Sequence, residues 1–167
     1  CAELESADVL VERIDDLCAR DIVTRRGFSA RFSEALKDPP PLLALNTPVQ
    51  QKAWTYIVSH AGRRVRTVNL AEKLGVTREH LSRTFAAEGA PNLKRIIDLV
   101  RLLAAAELAK NPGYDIRDVA QVLDFASSSH LSSTAQRVVG TRPASLARLR
   151  AVDLIQRFCK GHGRSRS

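Results

Sequence analysis

The sequence predicts an all-α fold in which two helix-turn-helix subdomains are joined by a long linker helix, with an N-terminal helical segment before them. One observation is an internal repeat: HLSRTF at 80–85 matches HLSSTA at 130–135, and LAEKL at 70–74 matches VAQVL at 119–123. The two offsets, 50 and 49 residues, differ by one, and the difference falls in a turn, where an insertion is cheapest. The other observation is a long apolar stretch between the repeats, NLKRIIDLVRLLAAAELAK at 92–110. It is apolar around much of its circumference, which is typical of a buried helix.

Residues 1–45 are expected to be the helical remnant of an upstream domain or linker. A helix is predicted over 3–20, where apolar residues recur at spacings of 3, 4 and 3. Its stripe belongs either to the last helix of a missing domain or to a dimer contact. A second helix is predicted over 28–37 and stops at Asp38-Pro39-Pro40-Pro41, because proline cannot continue a helix. The chain contains no Met, so we expect it to be a fragment of a longer protein.

The next helix has a strong start signal. Thr47 is a good N-cap, Pro48 suits the first helical position, and Gln50 completes a capping box. We expect this helix to run to about His60, with Trp54 facing the core.

The first helix-turn-helix follows a short basic connector. A helix over 68–74, capped by Thr67, is joined through Gly75 to a helix over 78–88 that is capped by Thr77. The residues expected to form its core are Leu70, Ala71, Leu74, Val76, Leu81 and Phe85. The residues left facing outward are Arg78, Glu79, Ser82 and Arg83.

The second unit begins at Asp115, a good N-cap. Helices are predicted over 116–123 and 127–139, joined by a turn at 124–126. A last helix is predicted over 143–158, followed by a flexible basic tail at 159–167. The double helix-turn-helix domain is therefore expected to span 46–158.

Charge separates the two parts of the chain. Residues 1–45 carry 6 Lys/Arg and 9 Asp/Glu, a net charge of −3, whereas residues 46–167 carry 20 and 9, a net of +11. A cationic helical domain attracts polyanions, with nucleic acid first among them, although a merely basic soluble protein would show the same excess.

The sequence gives little indication of a disulfide-rich protein, a metal-binding protein, a membrane protein or an enzyme. The three cysteines are widely spaced without a CxxC pair, so no disulfide framework or metal site is expected and a reducing cytoplasm fits. The apolar runs are too short to cross a bilayer, so no membrane partner is expected. The sequence has no P-loop, GxGxxG, HExxH or nucleophile elbow, and we predict no enzymatic activity and no cofactor.

The length of the linker helix suits double-stranded DNA. At ~1.5 Å per residue the stretch 92–110 spans roughly 28 Å, and major-groove faces recur about every 34 Å along one side of B-DNA. Such a spacer, plus the width of each unit, would set two recognition helices into adjacent grooves.

Residues 48–150 resemble the DNA-binding domain of the arabinose-regulator (AraC/XylS) class. The resemblance rests on LAEKLGVTREHLSRTF, the linker helix and IRDVAQVLDFASSSHLSSTAQRVVGTRPASLARLR. It implies a bacterial transcription regulator, located in the cytoplasm with the nucleoid. Such proteins often carry a separate ligand-sensing or dimerisation domain, so a homodimer through an upstream domain and RNA polymerase are candidate further partners.

The second unit departs from the family pattern. The turn usually contains Gly-Phe, and here it is Asp124-Phe125. The second recognition helix often carries an Arg and an aromatic residue, and here those positions hold Ser133 and Ala135. We therefore expect the second unit to bind more weakly or with less sequence preference.

The docking mode implied by the resemblance assigns roles in the first unit. Arg83 is the main candidate for base reading, because a guanidinium can bond guanine O6 and N7 together. Ser82 and Glu79 match base-facing positions, although Glu79 could equally favour the helix dipole. The predicted phosphate contacts, which would make affinity salt-dependent, are Arg63, Arg64, Arg66, Thr77 and Arg78. The connector arginines could also be a solvated loop.

In the second unit the groove-facing positions are serines. They are Ser128, Ser129, Ser132 and Ser133. Serine both donates and accepts, so its contacts would be weakly selective; helix capping and exposed polar surface are the alternative. Arg137 is a further candidate phosphate contact. Histidines His80 and His130, equivalent in the repeat, are expected to be packed or to contact phosphate.

Two other functions fit parts of the pattern. In a helical protein-interaction module the repeat would pack against a partner such as polymerase, and a DNA-binding assay would show no sequence preference. The targeting domain of a DNA recombinase would require a catalytic domain outside this chain.

Overall fold

The computed structural model describes residues 15–60, 62–87 and 89–164. This part of the chain is helical with no strand, which confirms the predicted all-α class. The α-helices are α1 (Asp15–Ala35), α2 (Pro48–Ser59), α3 (Thr67–Leu74), α4 (Arg78–Ala86), α5 (Leu93–Ala109), α6 (Ile116–Val122), α7 (Ser128–Val139), α8 (Pro143–Leu146) and α9 (Ala151–Arg164), with a 3₁₀ turn at Pro41–Leu43. None of these helices combines the length and apolar character needed to cross a bilayer.

The N-terminal segment differs from its prediction. Residues 1–14, which hold most of the helix predicted over 3–20, lie outside the described residues. The second predicted helix is not separate, because α1 runs without a break from residue 15 to residue 35. Helix α1 therefore crosses the boundary predicted between residues 20 and 28, and within it the Phe28 and Phe32 rings stack one turn apart at 5.5 Å.

The segment after α1 packs on the same core as the later helices. Phe32, Leu43 and Leu45 are buried in that core. The buried indole of Trp54 on α2 donates a hydrogen bond of 2.8 Å to the carbonyl of Leu36. Helix α2 is thereby attached to the N-terminal segment.

The capping box predicted for α2 is confirmed. The Thr47 hydroxyl accepts from the amide of Gln50, and the Gln50 side chain accepts from the amide of Thr47 at 3.0 Å. The buried Gln50 amide group also donates to the Thr84 carbonyl at 3.0 Å, which joins α2 to α4.

Helices α3 and α4 form the first helix-turn-helix. Leu70, Leu81 and Phe85 are fully buried, and Leu74 and Val76 are partly buried against them. The predicted cap of α3 was wrong: the extended N-cap residue is Arg66, and Thr67 is already in the first helical turn. The cap of α4 was right, since Thr77 accepts from the His80 amide at 3.1 Å.

Helix α5 is the central element of the fold. It contacts α2, α4, α6, α7, α8 and α9. Its 17 residues span about 25 Å at ~1.5 Å each. Most of its side chains are buried, as its apolar sequence predicted.

Helices α6 and α7 form the second helix-turn-helix, with the predicted cap Asp115 in place. Ser127, predicted as the first residue of the second helix, is instead the N-cap of α7. The helix predicted over 143–158 was wrong, because α8 ends at Leu146 and α9 starts at Ala151. The break is fixed by Asp153, whose carboxylate accepts from the Arg150 amide at 3.0 Å and from its guanidinium at 3.2 Å.

The predicted flexible tail is also corrected in part. Helix α9 continues to Arg164, so residues 159–164 are helical, while residues 165–167 lie outside the described residues. Phe158 on α9 is buried, and the Arg95 guanidinium on α5 lies 4.9 Å from its ring centroid. The packing of Phe158 attaches the start of this final segment to the linker helix.

Candidate nucleic-acid interface

Helix α4 has a polar face directed to solvent and an opposite, buried apolar face. Arg78, Glu79, Ser82 and Arg83 are all exposed and together line one shallow surface depression. Every third or fourth residue of α4 is buried below them, as the helical period requires. The sequence prediction that these four side chains face outward is confirmed.

Local hydrogen bonds fix the start of α4. The Thr77 hydroxyl oxygen accepts from the His80 amide, which leaves its proton free to donate outward. The Thr84 hydroxyl donates to the His80 carbonyl at 2.9 Å. Glu79 lies in the first turn, where a carboxylate is favoured by the helix dipole. His80 itself is exposed.

The connector before α3 points its arginines to solvent. Arg63, Arg64 and Arg66 are exposed, while Val65 between them is buried in the core. The backbone is turned by a hydrogen bond of 3.0 Å from the Arg63 amide to the His60 carbonyl. Side chains thus alternate along this extended segment: Val65 is buried in the core, and Arg64 and Arg66 on either side of it are exposed to solvent.

A cleft lies between the two units, and we call it the inter-unit cleft. It has a volume of about 480 Å³ and is bordered by the start of α3, one side of α5, and the α6–α7 turn with α7. Its cationic side chains are Arg64, Arg66, Lys94, Arg101 and Arg137. Its acidic side chains are Asp98 and Asp124. Three predicted phosphate contacts therefore meet in one place; Arg63 is not among the residues that line it.

The cleft includes residues that sequence reasoning missed. Lys94, Asp98 and Arg101 lie on α5, which the sequence marked only as a buried helix. The sequence does indicate them, because these polar residues interrupt an apolar run at spacings of 4 and 3, which places them on one side of the helix.

Arg101 holds the turn of the second unit. Its side chain is 5% exposed, and one guanidinium nitrogen, Nη2, donates to the carbonyls of Leu123 and Asp124 at 2.9 Å each. The guanidinium carbon lies 3.8 Å from the centroid of the Phe125 ring. Burial is the main cause that lowers the pKa of Arg101 from its ordinary value. Asp124 adopts a left-handed conformation, with φ of 56°, at the turn position where the resembling family usually has glycine.

Arg137 is tied to the linker helix at one side. Its Nη2 lies 3.1 Å from Oδ2 of Asp98. The Asp98 side chain is only 10% exposed, whereas that of Arg137 is 57% exposed. The guanidinium is oriented by the carboxylate and keeps donors that point to solvent.

The serines of α7 are partly occupied by their own helix. Ser132 donates to the Ser128 carbonyl at 2.9 Å, and Ser133 donates to the His130 carbonyl at 3.0 Å. Ser129 and Ser133 are exposed, and Ser128 and Ser132 are half-buried. The hydroxyl protons of Ser132 and Ser133 are therefore already committed to backbone acceptors.

His130 is exposed in the first turn of α7, where one side of its ring contacts the α6–α7 turn. Its ring meets Phe125 edge-on at 5.6 Å between centroids, and its Nδ1 lies 3.4 Å from the Ala126 amide. Among the described residues, no cluster of three or more His, Cys, Asp or Glu could hold a metal ion.

Two helix-turn-helix units on one linker helix, with a cationic polar face, define the architecture of a DNA-binding domain. Residues 70–148 match the model of a family described as a helix-turn-helix domain. This match supports an AraC/XylS-type DNA-binding domain over these residues, and the matched family is one of DNA-binding regulatory domains rather than of enzymes. Comparison with curated proteins and with solved structures gave no significant match.

Proposed function

We propose that this chain is a sequence-specific regulator of transcription that places α4 and α7 in successive major grooves of double-stranded DNA. The observation that carries the proposal is the face of α4, on which four polar side chains stand exposed above a fully buried Leu81 and Phe85. A helix anchored in this way can enter a groove without exposing its own core.

The first unit supplies the base readers. Arg83 bonds guanine O6 and N7, which is worth roughly 1–3 kcal/mol of discrimination against another base. Ser82 and Glu79 stand beside it in the same depression and complete the base-facing set. The groups proposed to contact phosphates around them are Arg63, Arg64, Arg66, Thr77 and Arg78.

The face that α7 of the second unit turns to the next major groove consists of uncharged serines. Its proposed base-facing residues are Ser128, Ser129, Ser132 and Ser133, and its proposed phosphate contact is Arg137. Where a serine hydroxyl already donates to its own helix, the oxygen remains as an acceptor.

The linker helix sets the distance between the two reading positions. Helix α5 spans about 25 Å, and the units at its ends add their own width to approach the ~34 Å between major-groove faces. Because α5 is packed by both units, it acts as a rigid spacer.

The wider organisation is part of the same proposal. The DNA-binding domain is proposed to span 46–158, with residues 1–45 as a linker or the helical remnant of an upstream domain. RNA polymerase is a further partner, and the protein acts at the nucleoid in the bacterial cytoplasm. No catalytic role and no cofactor are proposed.

The test is selection of bound duplexes from a random library, followed by affinity measurements on the recovered sites. We expect one bipartite motif with half-sites about one helical turn, roughly 10 base pairs, apart. A library that shows no enriched motif, with equal affinity for every duplex, would instead favour a helical protein-interaction module.

A further inference from the structure

The charges of the inter-unit cleft are not balanced within it. Five cationic side chains and two carboxylates line the cleft, and one of the carboxylates, Asp98, is already paired with Arg137. Arg64, Arg66 and Lys94 are exposed, and no described carboxylate lies within ion-pair distance of them. The cleft therefore holds an excess of positive charge directed at a common space.

Like charges come close enough in this cleft to affect one another. After burial, which lowers it, the pKa of Arg101 is raised by Asp98, lowered by Arg64 and raised by Asp124, in decreasing order of effect. The two carboxylates offset repulsion at Arg101, whereas no described carboxylate lies within ion-pair distance of Arg64. The arrangement suits a ligand with negative charge.

The backbone adds to this preference. The cleft borders the first turn of α3, and Arg66 at its N-cap offers no side-chain acceptor to the free amides of that turn. Helix α3 also presents the positive end of its dipole there. This contribution is small and reinforces the cationic side chains.

The position of the cleft identifies its occupant. It lies between the α3–α4 unit and the α6–α7 unit, along the linker helix. If the two units occupy successive major grooves, the surface between them faces the intervening minor groove and the sugar-phosphate strands that border it. The anion that reaches this surface is the DNA backbone.

We propose, building on the proposed function, that the inter-unit cleft is a binding site for the phosphodiester backbone between the two half-sites, with Lys94 and Arg64 as its principal contacts. The second unit then holds DNA chiefly through this site. Its α7 face has no cation among the four serines, and two of their protons are used within the helix. Most of the sequence preference consequently resides in α4.

The test compares Lys94→Ala with Lys52→Ala. Both lysines are exposed and helical, but Lys52 lies on α2 and does not line the cleft. We expect Lys94→Ala to weaken binding about three- to fivefold, as for an exposed ion pair. It should also reduce the slope of log affinity against log salt by about 0.9, for one lost phosphate contact. Lys52→Ala should leave both quantities unchanged, and melting curves should show that both variants are folded.

A second measurement locates the contact on the DNA. Neutral methylphosphonates are placed in the backbone between the half-sites of the selected duplex. They should weaken binding of the wild-type chain, and they should weaken Lys94→Ala by a smaller factor, because that variant retains only Arg64 of the two principal contacts. Equal salt slopes for Lys94→Ala and Lys52→Ala, or wild-type binding insensitive to the methylphosphonates, would overturn the inference.

The same experiment separates the two proposals. A wild-type chain that binds selected and random duplexes equally would contradict sequence-specific recognition. The salt slope on the random duplex would still report the cleft, because a phosphate contact carries no sequence information.

Discussion

Two glycines offer a matched test of how the connector is seated on the linker helix. Gly62 and Gly75 both have positive φ, 79° and 67°. A Cβ added at Gly62 would clash with the Cβ of Ala104, whereas one added at Gly75 would meet nothing within 4 Å. Ala104 is fully buried on α5 and cannot move aside without shifting the helix. The same substitution, glycine to alanine, therefore meets the same backbone strain in two different surroundings.

The expected magnitudes follow from these contacts. A left-handed alanine costs about 1–2 kcal/mol at either site. Overpacking against α5 adds about 1–3 kcal/mol at Gly62 alone. For a chain of this size, 1 kcal/mol corresponds to about 2–4 °C in Tm, so the two variants should differ by roughly 2–12 °C.

Thermal unfolding followed by far-ultraviolet circular dichroism measures the difference. Gly62→Ala should melt lower than Gly75→Ala, and both should melt lower than the wild type. If the two variants lost the same amount, the close approach of the connector to α5 would be refuted. The placement of Arg64 and Arg66 beside the linker helix would then lose its basis.

Three further substitutions test single contacts. Asp124→Gly should raise the free energy of unfolding by about 0.5–1 kcal/mol, because glycine adopts positive φ without strain; denaturant titration measures this, and a lower midpoint would contradict it. Trp54→Phe should cost about 1–3 kcal/mol, because it leaves the Leu36 carbonyl without its donor; an unchanged midpoint in the same titration would show that the bond is unimportant. Asp115→Ala should show a pH-dependent loss of Tm. The amide of Asp118 is the main cause that lowers the pKa of Asp115, so its carboxylate stabilises the fold above the ordinary aspartate pKa and the benefit disappears as pH falls through the lowered value. The difference in Tm from wild type should therefore shrink in acid, and a difference independent of pH would argue against the cap.

Local signals in the sequence predicted much of the fold. The caps at Thr47, Thr77 and Asp115 were predicted from residue type and spacing, and each is made by the hydrogen bonds expected of it. The outward face of α4 followed from the helical period. These features depend on residues within about one turn of each other, so a single sequence contains the information.

Features that depend on distant partners were not predicted. Asp98 and Arg137 are 39 residues apart, and Arg101 bonds carbonyls 22 and 23 residues away. Nothing in the spacing of these residues indicates that they meet. The sequence predicts Arg137 as a phosphate contact without indicating its partner. Its pairing with Asp98 follows only from the packing of α7 on α5.

Helix boundaries were misjudged where tertiary packing or a side-chain bond decides them. Helix α1 runs from Asp15 to Ala35 across the boundary predicted between residues 20 and 28. The break before α9 depends on Asp153, which bonds the Arg150 amide and so starts a new helix where the apolar pattern suggested continuation. Both errors concern where a helix begins or ends, and the fold class is unaffected.

The most direct measurement compares Arg83→Ala with Arg64→Ala on the selected duplex and on a copy whose guanine at the candidate contact is replaced. Arg83→Ala should reduce the difference in binding free energy between the two duplexes by about 1–3 kcal/mol. Arg64→Ala should preserve that difference, weaken both duplexes alike and lower the salt slope by about one. Variants that change the difference and the slope to the same extent would contradict the division of α4 and the connector into base reading and backbone binding.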